Sequence, residues 1–366
     1  MLPINIFRDR VLKLKAKMME QNIKATIIFN GTSMLYFTNF SRGMALLIPG
    51  EHDPVLLVPK LEYEEAESTV KMARIVPVER RAQLAELILK ELKKLGIVSG
   101  KIGLDKDWIS ASLYDGVKEK LEGYEIEDSS KIVSELRSVK SREEVELIVK
   151  ALRIAEHGIK AAVEAIRDGV SELEVAAEAE YAMRKKGAEW FSFETIVASG
   201  VRSAYPHGFS SSKIIRNGEL VVIDLGAKYA GYCSDITRTI FVGGKPPSEV
   251  SKIFETVVEA MNEALKIARG GVKAKEVDLA AREVISRANY GEHFPHSLGH
   301  GVGLSVHEAP RLSRESEDIL KPGNVVTIEP GIYIPNLGGV RIEDMILVEE
   351  DGCRILNELP RLLNEF

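Results

Sequence analysis

Glu219-Leu-Val-Val-Ile-Asp224-Leu-Gly-Ala-Lys-Tyr-Ala-Gly-Tyr-Cys-Ser-Asp235-Ile-Thr-Arg-Thr-Ile-Phe-Val242 reads as two β-rich runs joined by a short connection containing Gly231. That pattern predicts an antiparallel hairpin. Each run carries one acidic residue among apolar ones, Asp224 and Asp235, 11 positions apart. A turn centred on Tyr229-Ala230 would set the two carboxylates directly opposite on one face, with Cβ atoms roughly 4.5–5.5 Å apart. Like charges so close weaken a sheet unless a cation lies between them. The register decides the matter, because a slip of one residue moves a side chain to the other face.

The pattern recurs downstream. Asn324-Val-Val-Thr-Ile-Glu329 ends at Pro330-Gly331, and Gly338-Gly-Val-Arg-Ile-Glu343 follows. Glu329 and Glu343 are 14 apart and can face each other across a longer loop. Between the two acidic hairpins lies His296-Ser-Leu-Gly-His300-Gly-Val-Gly-Leu-Ser-Val-His307-Glu308. The chain has seven histidines, and four of them fall between His293 and His307. The three glycines among them suggest a backbone that lets a ligand approach closely. Four carboxylates and one imidazole form a hard donor set with one nitrogen. It suits two divalent ions of Mn, Co, Fe or Zn better than Ca, without choosing among them. The competing reading is acidic loops beside core histidines.

Outward from this centre, helices are expected over residues 141–166, opened by the capping-box pattern Ser141-Arg-Glu-Glu144, and over 171–186. Two more are expected over 248–268 and 274–288. With strand-rich sections over 193–242 and 296–356, the order helix, helix, strands occurs twice. This suggests two similar halves facing each other with a site between them. The N-terminal part alternates strands and helices, with helices expected over 9–21, 82–95 and 110–121. Met34-Leu-Tyr-Phe-Thr-Asn-Phe40 is read among its strands. The fold class is therefore α/β (α+β), with a small N-terminal α/β domain at 1–128 and a second domain at 129–366 that carries the acidic hairpins. His52 is read as an exposed turn residue and His157 as a helix-surface or partly buried histidine.

A net charge of −6 argues against a nucleic-acid footprint. No apolar run approaches the ~18 residues of a membrane span. Cys233 and Cys353 cannot make a disulfide scaffold and are expected as free thiols. The first ten residues lack the features of a signal peptide. A cytoplasmic protein is the expectation.

Asp224 and Asp235 at that spacing, Gly299-His300-Gly301, Glu329-Pro-Gly and Arg341-Ile-Glu343-Asp together resemble the metallopeptidases of pita-bread fold, among them methionine aminopeptidase, aminopeptidase P and prolidase. The resemblance covers the chain from about Ser141. The extra N-terminal domain is similar to that of prolidase and aminopeptidase P. The resemblance implies a C-terminal pita-bread (creatinase/aminopeptidase) domain that hydrolyses Xaa-Pro dipeptides. It implies two divalent ions, Mn or Co before Zn or Fe, held by Asp224, Asp235, His300, Glu329 and Glu343. Asp235 and Glu343 would bridge, and Glu329 would also shuttle the proton. His207, in Ser203-Ala-Tyr-Pro-His207-Gly, would contact substrate, His307 would steady the tetrahedral intermediate, and His296 would line the cleft; satisfied core histidines are the alternative. Arg311 matches an arginine of prolidases and would grip the free carboxylate of a small peptide substrate; a surface arginine is the alternative. Arg341 is read as support for the carboxylates. A homodimer is implied. Aminopeptidase P activity on longer peptides, a creatinase-like hydrolase and a non-catalytic binding protein remain rivals.

Overall fold

The computed structural model describes residues 2–361. The chain divides into two compact units, Met1–Arg137 and Ser138–Phe366. The Asp128 carboxylate accepts the Ser130 N–H at 2.9 Å, and helix Ser130–Ser138 follows.

The first unit is built on a six-stranded sheet. Strand Ile23–Ile28 pairs antiparallel with Ala45–Pro49 on one side and parallel with Gly100–Leu104 on the other. Strands Val55–Pro59 and Arg74–Val78 extend the first side, and Tyr124–Asp128 the second. Helix Leu84–Lys94 buries Leu84, Ile88 and Leu92 at helical spacing and ends at Gly96, whose φ of 73° is left-handed. One expectation fails. Residues 34–40 do not form a strand; Gly31–Thr38 is a helix. Asn30 caps it by accepting the Thr32 N–H at 2.8 Å, and Asn39 closes it at φ 62°. Met34, Tyr36 and Phe37 are all buried, so the segment shows no polar face. A short apolar run of this kind has no period that separates helix from strand.

The second unit repeats one plan. Helices Arg142–Ala165 and Glu172–Lys185 pack together, and both open on capping boxes, Ser141 with Glu144 and Ser171 with Glu174. Val145, Ile148, Leu152, Ala155, Ile159 and Ala162 form the buried stripe of the first. Its half of the sheet runs Ile236–Phe241, Leu220–Leu225, Ile196–Ser199. The second pair, Ser248–Ile267 and Ala274–Arg287, accompanies a five-stranded sheet containing Gly299–Gly301, Val325–Ile328 and Asp344–Val348. The halves join where their hairpins meet. Glu343 N–H donates to the Thr237 carbonyl at 3.1 Å, and Thr239 Oγ1 donates to the Arg341 carbonyl at 2.8 Å. No helix of the described residues is long and apolar enough to cross a membrane.

The glycines around His300 serve packing, not ligand access. A Cβ on Gly299 would lie 2.0 Å from the Thr327 carbonyl oxygen, and one on Gly301 2.3 Å from that of Ala309. Only glycine lets these strands close on both sides of the histidine. Gly299→Ala is therefore expected to cost roughly 3 kcal/mol in denaturant unfolding, as overpacking does. Gly116→Ala, in helix Ala111–Lys120 with open space around it, is expected to gain about 0.5–1 kcal/mol. Equal effects of the two changes would contradict this account of Gly299.

Candidate metal centre

The first acidic hairpin keeps one register from end to end. Thr237 faces Asp224, and Tyr232 faces Tyr229. The turn is Ala230-Gly231, both with positive φ (48° and 81°), as a tight primed turn requires. The expected turn at Tyr229-Ala230 is displaced by one residue, so Asp224 does not lie directly opposite Asp235. Asp235 sits two positions from Thr237, the cross-strand partner of Asp224. The two carboxylates remain on one face as diagonal neighbours. The second hairpin also runs in one register, from Val325↔Leu347 and Ile328↔Asp344 to Gly331↔Arg341. The same count sets Glu329 against Glu343. The contact between the hairpins brings all four acids together.

Three of these acids each leave one oxygen free; in two of them, Asp224 and Glu343, the other oxygen is hydrogen-bonded, and in Asp235 it faces an imidazole. Asp224 Oδ2 accepts from Arg341 Nη2 at 2.5 Å, and Glu343 Oε2 accepts from Thr237 Oγ1 at 2.8 Å. Asp235 Oδ2 lies 3.6 Å from His300 Nε2. Asp224 Oδ1, Asp235 Oδ1 and Glu343 Oε1 are buried with no hydrogen-bond partner. An anionic oxygen in that state is costly, and a cation is the usual remedy. Asp235, His300 and Glu343 can each bring a donor atom to within 4.8 Å of the others. His300 is oriented for the same purpose. Its Nδ1 meets the Gly301 carbonyl at 3.2 Å, which leaves Nε2 to the centre, 3.3 Å from Glu329 Oε1. The residues fit a bound divalent cation.

The electrostatics agree. Burial raises the carboxyl pKa of Asp224, Asp235 and Glu343, and neighbouring carboxylates add to the shift, most strongly for Asp235 and Glu343. Glu329 goes the other way. Burial pushes it up, but the hydrogen bond and charge of His300 outweigh this and hold it at about 2. His300 is correspondingly raised, its partnership with Glu329 overcoming the desolvation that lowers it.

The remaining histidines and Arg311 lie around a cleft of about 790 Å3. His207 lies on its wall, on the loop after strand Ile196–Ser199. The His307 ring is 4.2 Å from that of His300, edge to face, and burial followed by the His300 charge lowers its pKa. Arg311 is the strand partner of His300, so both side chains share one face. It is therefore a cleft residue and not part of a polar surface loop; its Nε and Nη2 now donate to Ser297 Oγ at 3.2 and 3.1 Å. His296 lines the cleft, but both ring nitrogens are engaged. Nδ1 meets the Ser297 carbonyl at 2.8 Å and Nε2 the Tyr333 hydroxyl at 2.9 Å. Burial lowers its pKa, so the neutral ring donates from Nδ1 and accepts at Nε2. His52 and His157 are exposed and far along the chain from the cleft lining.

Sequence reading missed Tyr333 and Thr237. Arg341 Nη1 donates to the Tyr333 hydroxyl at 2.8 Å, and Arg341 Nε to Thr237 Oγ1 at 3.1 Å. Tyr333, its phenol raised by burial to about 12, thus links Asp224 through Arg341 to His296. The signal was the Gly-Ile-Tyr-Ile alternation, which puts Tyr333 on the face of Arg341 once the register is known. Phe193, Ile196 and Phe209 supply the apolar wall of the cleft.

Residues 146–350 match the model of metallopeptidase family M24, and residues 10–139 that of the creatinase/prolidase N-terminal domain. An Xaa-Pro dipeptidase of Pyrococcus furiosus is 44% identical over 97% of this chain and 99% of its own. The structure of the prolidase from Pyrococcus horikoshii is similar with a TM-score of 0.90 and 41% identity, covering 97% of this chain and 99% of that one. That of an X-Pro aminopeptidase from Thermotoga maritima gives 0.89 and 38%, covering 96% and 98%. The chain belongs to metallopeptidase family M24, membership of which implies divalent metal ions, and its C-terminal unit has the pita-bread fold.

Raised carboxyl groups hold their protons above the ordinary carboxylate range, and a metal must displace them. Metal uptake by chelator-stripped protein is therefore expected to release protons and to weaken as pH falls through the range in which these acids hold them. Calorimetric titration in buffers of different ionisation enthalpy measures this. Uptake without proton release would contradict the assignment of the acids as ligands.

Proposed function

We propose that this chain is an Xaa-Pro dipeptidase using two divalent ions, manganese or cobalt before zinc or iron. The observation that carries the reading is the set of buried free oxygens on Asp224, Asp235 and Glu343, in a centre where Asp235, His300 and Glu343 can bring donor atoms within 4.8 Å of one another. These five residues would hold the ions, with Asp235 and Glu343 shared. When bound, the ions supply activation of water and polarisation of the scissile carbonyl.

The protein's own groups do the rest. The Glu329 side chain is 17% exposed, against 12% for Asp224 and 7% for Asp235, and it lines the cleft. An ionised carboxylate there can take a proton from the attacking water. It can then return it to the departing nitrogen, which in an Xaa-Pro bond carries no N–H of its own. His307, kept neutral and exposed to the cleft, donates to the developing oxyanion, and His207 contacts the substrate from the opposite half. His296, with both nitrogens engaged, steadies Tyr333 and Arg341 instead of touching substrate. Arg311 presents a fork on the face of His300 and can exchange Ser297 for the substrate's C-terminal carboxylate. That grip favours dipeptides. The aminopeptidase reading keeps support from the comparable likeness to the Thermotoga maritima structure. We further propose a homodimer in the cytoplasm, a compartment in keeping with two cysteines that form no disulfide.

Stripped protein refilled with Mn or Co is expected to cleave Met-Pro in preference to Met-Pro-Pro. Arg311→Ala should raise the KM for Met-Pro roughly 10- to 100-fold, as loss of a charged hydrogen-bond pair does, and change the longer substrate little. Equal or better cleavage of the longer peptide would move the assignment to an aminopeptidase. Absence of metal-dependent cleavage of both would overturn it.

A further inference from the structure

Glu172 is fully buried and belongs to no part of the metal centre. It is the first residue of helix Glu172–Lys185, where a carboxylate is favoured by the helix dipole. The cap itself is made by Ser171 and Glu174, which leaves Glu172 free to reach elsewhere. It accepts five hydrogen bonds. Oε1 takes the Ser199 N–H at 2.7 Å and the Ser199 hydroxyl at 2.8 Å. Oε2 takes Arg202 Nε at 3.2 Å, the Ser211 N–H at 3.1 Å and the Ser211 hydroxyl at 2.6 Å. The free N–H groups of the same helix end bind the same segment, Glu172 to the Lys213 carbonyl at 3.0 Å and Leu173 to that of Ser211 at 3.1 Å.

Ser199 and Ser211 are the two feet of the loop 200–210, and His207 is on that loop. Above the feet, the loop is tied to the far half. Gly339 N–H donates to Ser203 Oγ at 2.9 Å, and Arg341 Nη1 to the Pro206 carbonyl at 3.2 Å. Val201, Tyr205, His207 and Phe209 are all exposed, so few apolar contacts hold the loop in place. One carboxylate that fastens both feet sets the loop's shape where packing does not.

We propose that Glu172 is a positioning residue for the substrate-contacting loop 200–210, acting on the reaction through His207. This rests on the role given to His207 above. A glutamine in its place keeps the shape but turns one acceptor oxygen into a donor, so one foot is released.

Hydrogen exchange of amides 200–210 and a double-mutant cycle with His207→Ala test this together. In Glu172→Gln, exchange over 200–210 is expected to rise at least tenfold, with the strands 220–225 and 236–241 unchanged and metal uptake intact. The kcat/KM for Met-Pro should fall roughly 100-fold, as for a misplaced contact residue, and the double variant should be no worse than His207→Ala alone. Glu172→Asp should restore part of the loss. Unchanged exchange over 200–210, or losses that multiply in the double variant, would overturn the proposal. If Glu172→Gln does not fold, Ser211→Ala removes one of the five bonds and is read in the same two ways. If the parent protein cleaves no Xaa-Pro substrate, the functional reading fails, and the exchange result still decides the role of Glu172.

Discussion

Buried oxygens of Asp224, Asp235 and Glu343 that meet no donor are the constraint on which the catalytic unit depends. Each acid has its other oxygen near a protein group: Arg341 for Asp224, Thr237 for Glu343, His300 for Asp235. The fastened oxygens orient the carboxylates, and the free ones leave a concentration of negative charge inside the protein. Such charge stays in a fold only when a cation compensates it or protons neutralise it. The raised carboxyl groups are the second solution, the metal the first.

Much of the remaining architecture holds that charge in position. Each of the two hairpins carries two acids and pairs on both sides of them. Glycines at 299 and 301 let the His300 strand lie tight against both neighbours. Two helix pairs with regular apolar stripes back the sheets and supply the hydrophobic stabilisation that the polar centre lacks. Arg341 and Tyr333 then carry the ordering outward from Asp224 to His296 on the cleft wall.

The sequence made some of this legible and concealed the rest. Regular helices with capping residues were readable because apolar period and cap agree, as at Ser141 and Ser171. The pairing of Glu329 with Glu343 was readable too, since both flank a single uninterrupted register. The relation of Asp224 to Asp235 was not, because a turn at Ala230-Gly231 and one at Tyr229-Ala230 differ by one residue and move the partner by two. The helix at 31–38 was hidden by a largely buried segment whose start depends on Asn30 and whose end depends on Asn39. Tyr333 could be found only through the register of its hairpin, and Glu172 not at all. The partners of Glu172 lie far away in sequence, and a helix-opening glutamate has an ordinary local explanation.

The most direct measurement is the anomalous scattering of a manganese-loaded crystal. The account predicts two peaks side by side among Asp224, Asp235, His300, Glu329 and Glu343, with the free oxygens of Asp224, Asp235 and Glu343 turned to them. No peak there at saturating metal, or metal bound only elsewhere, would contradict the claim that a cation balances these buried acids.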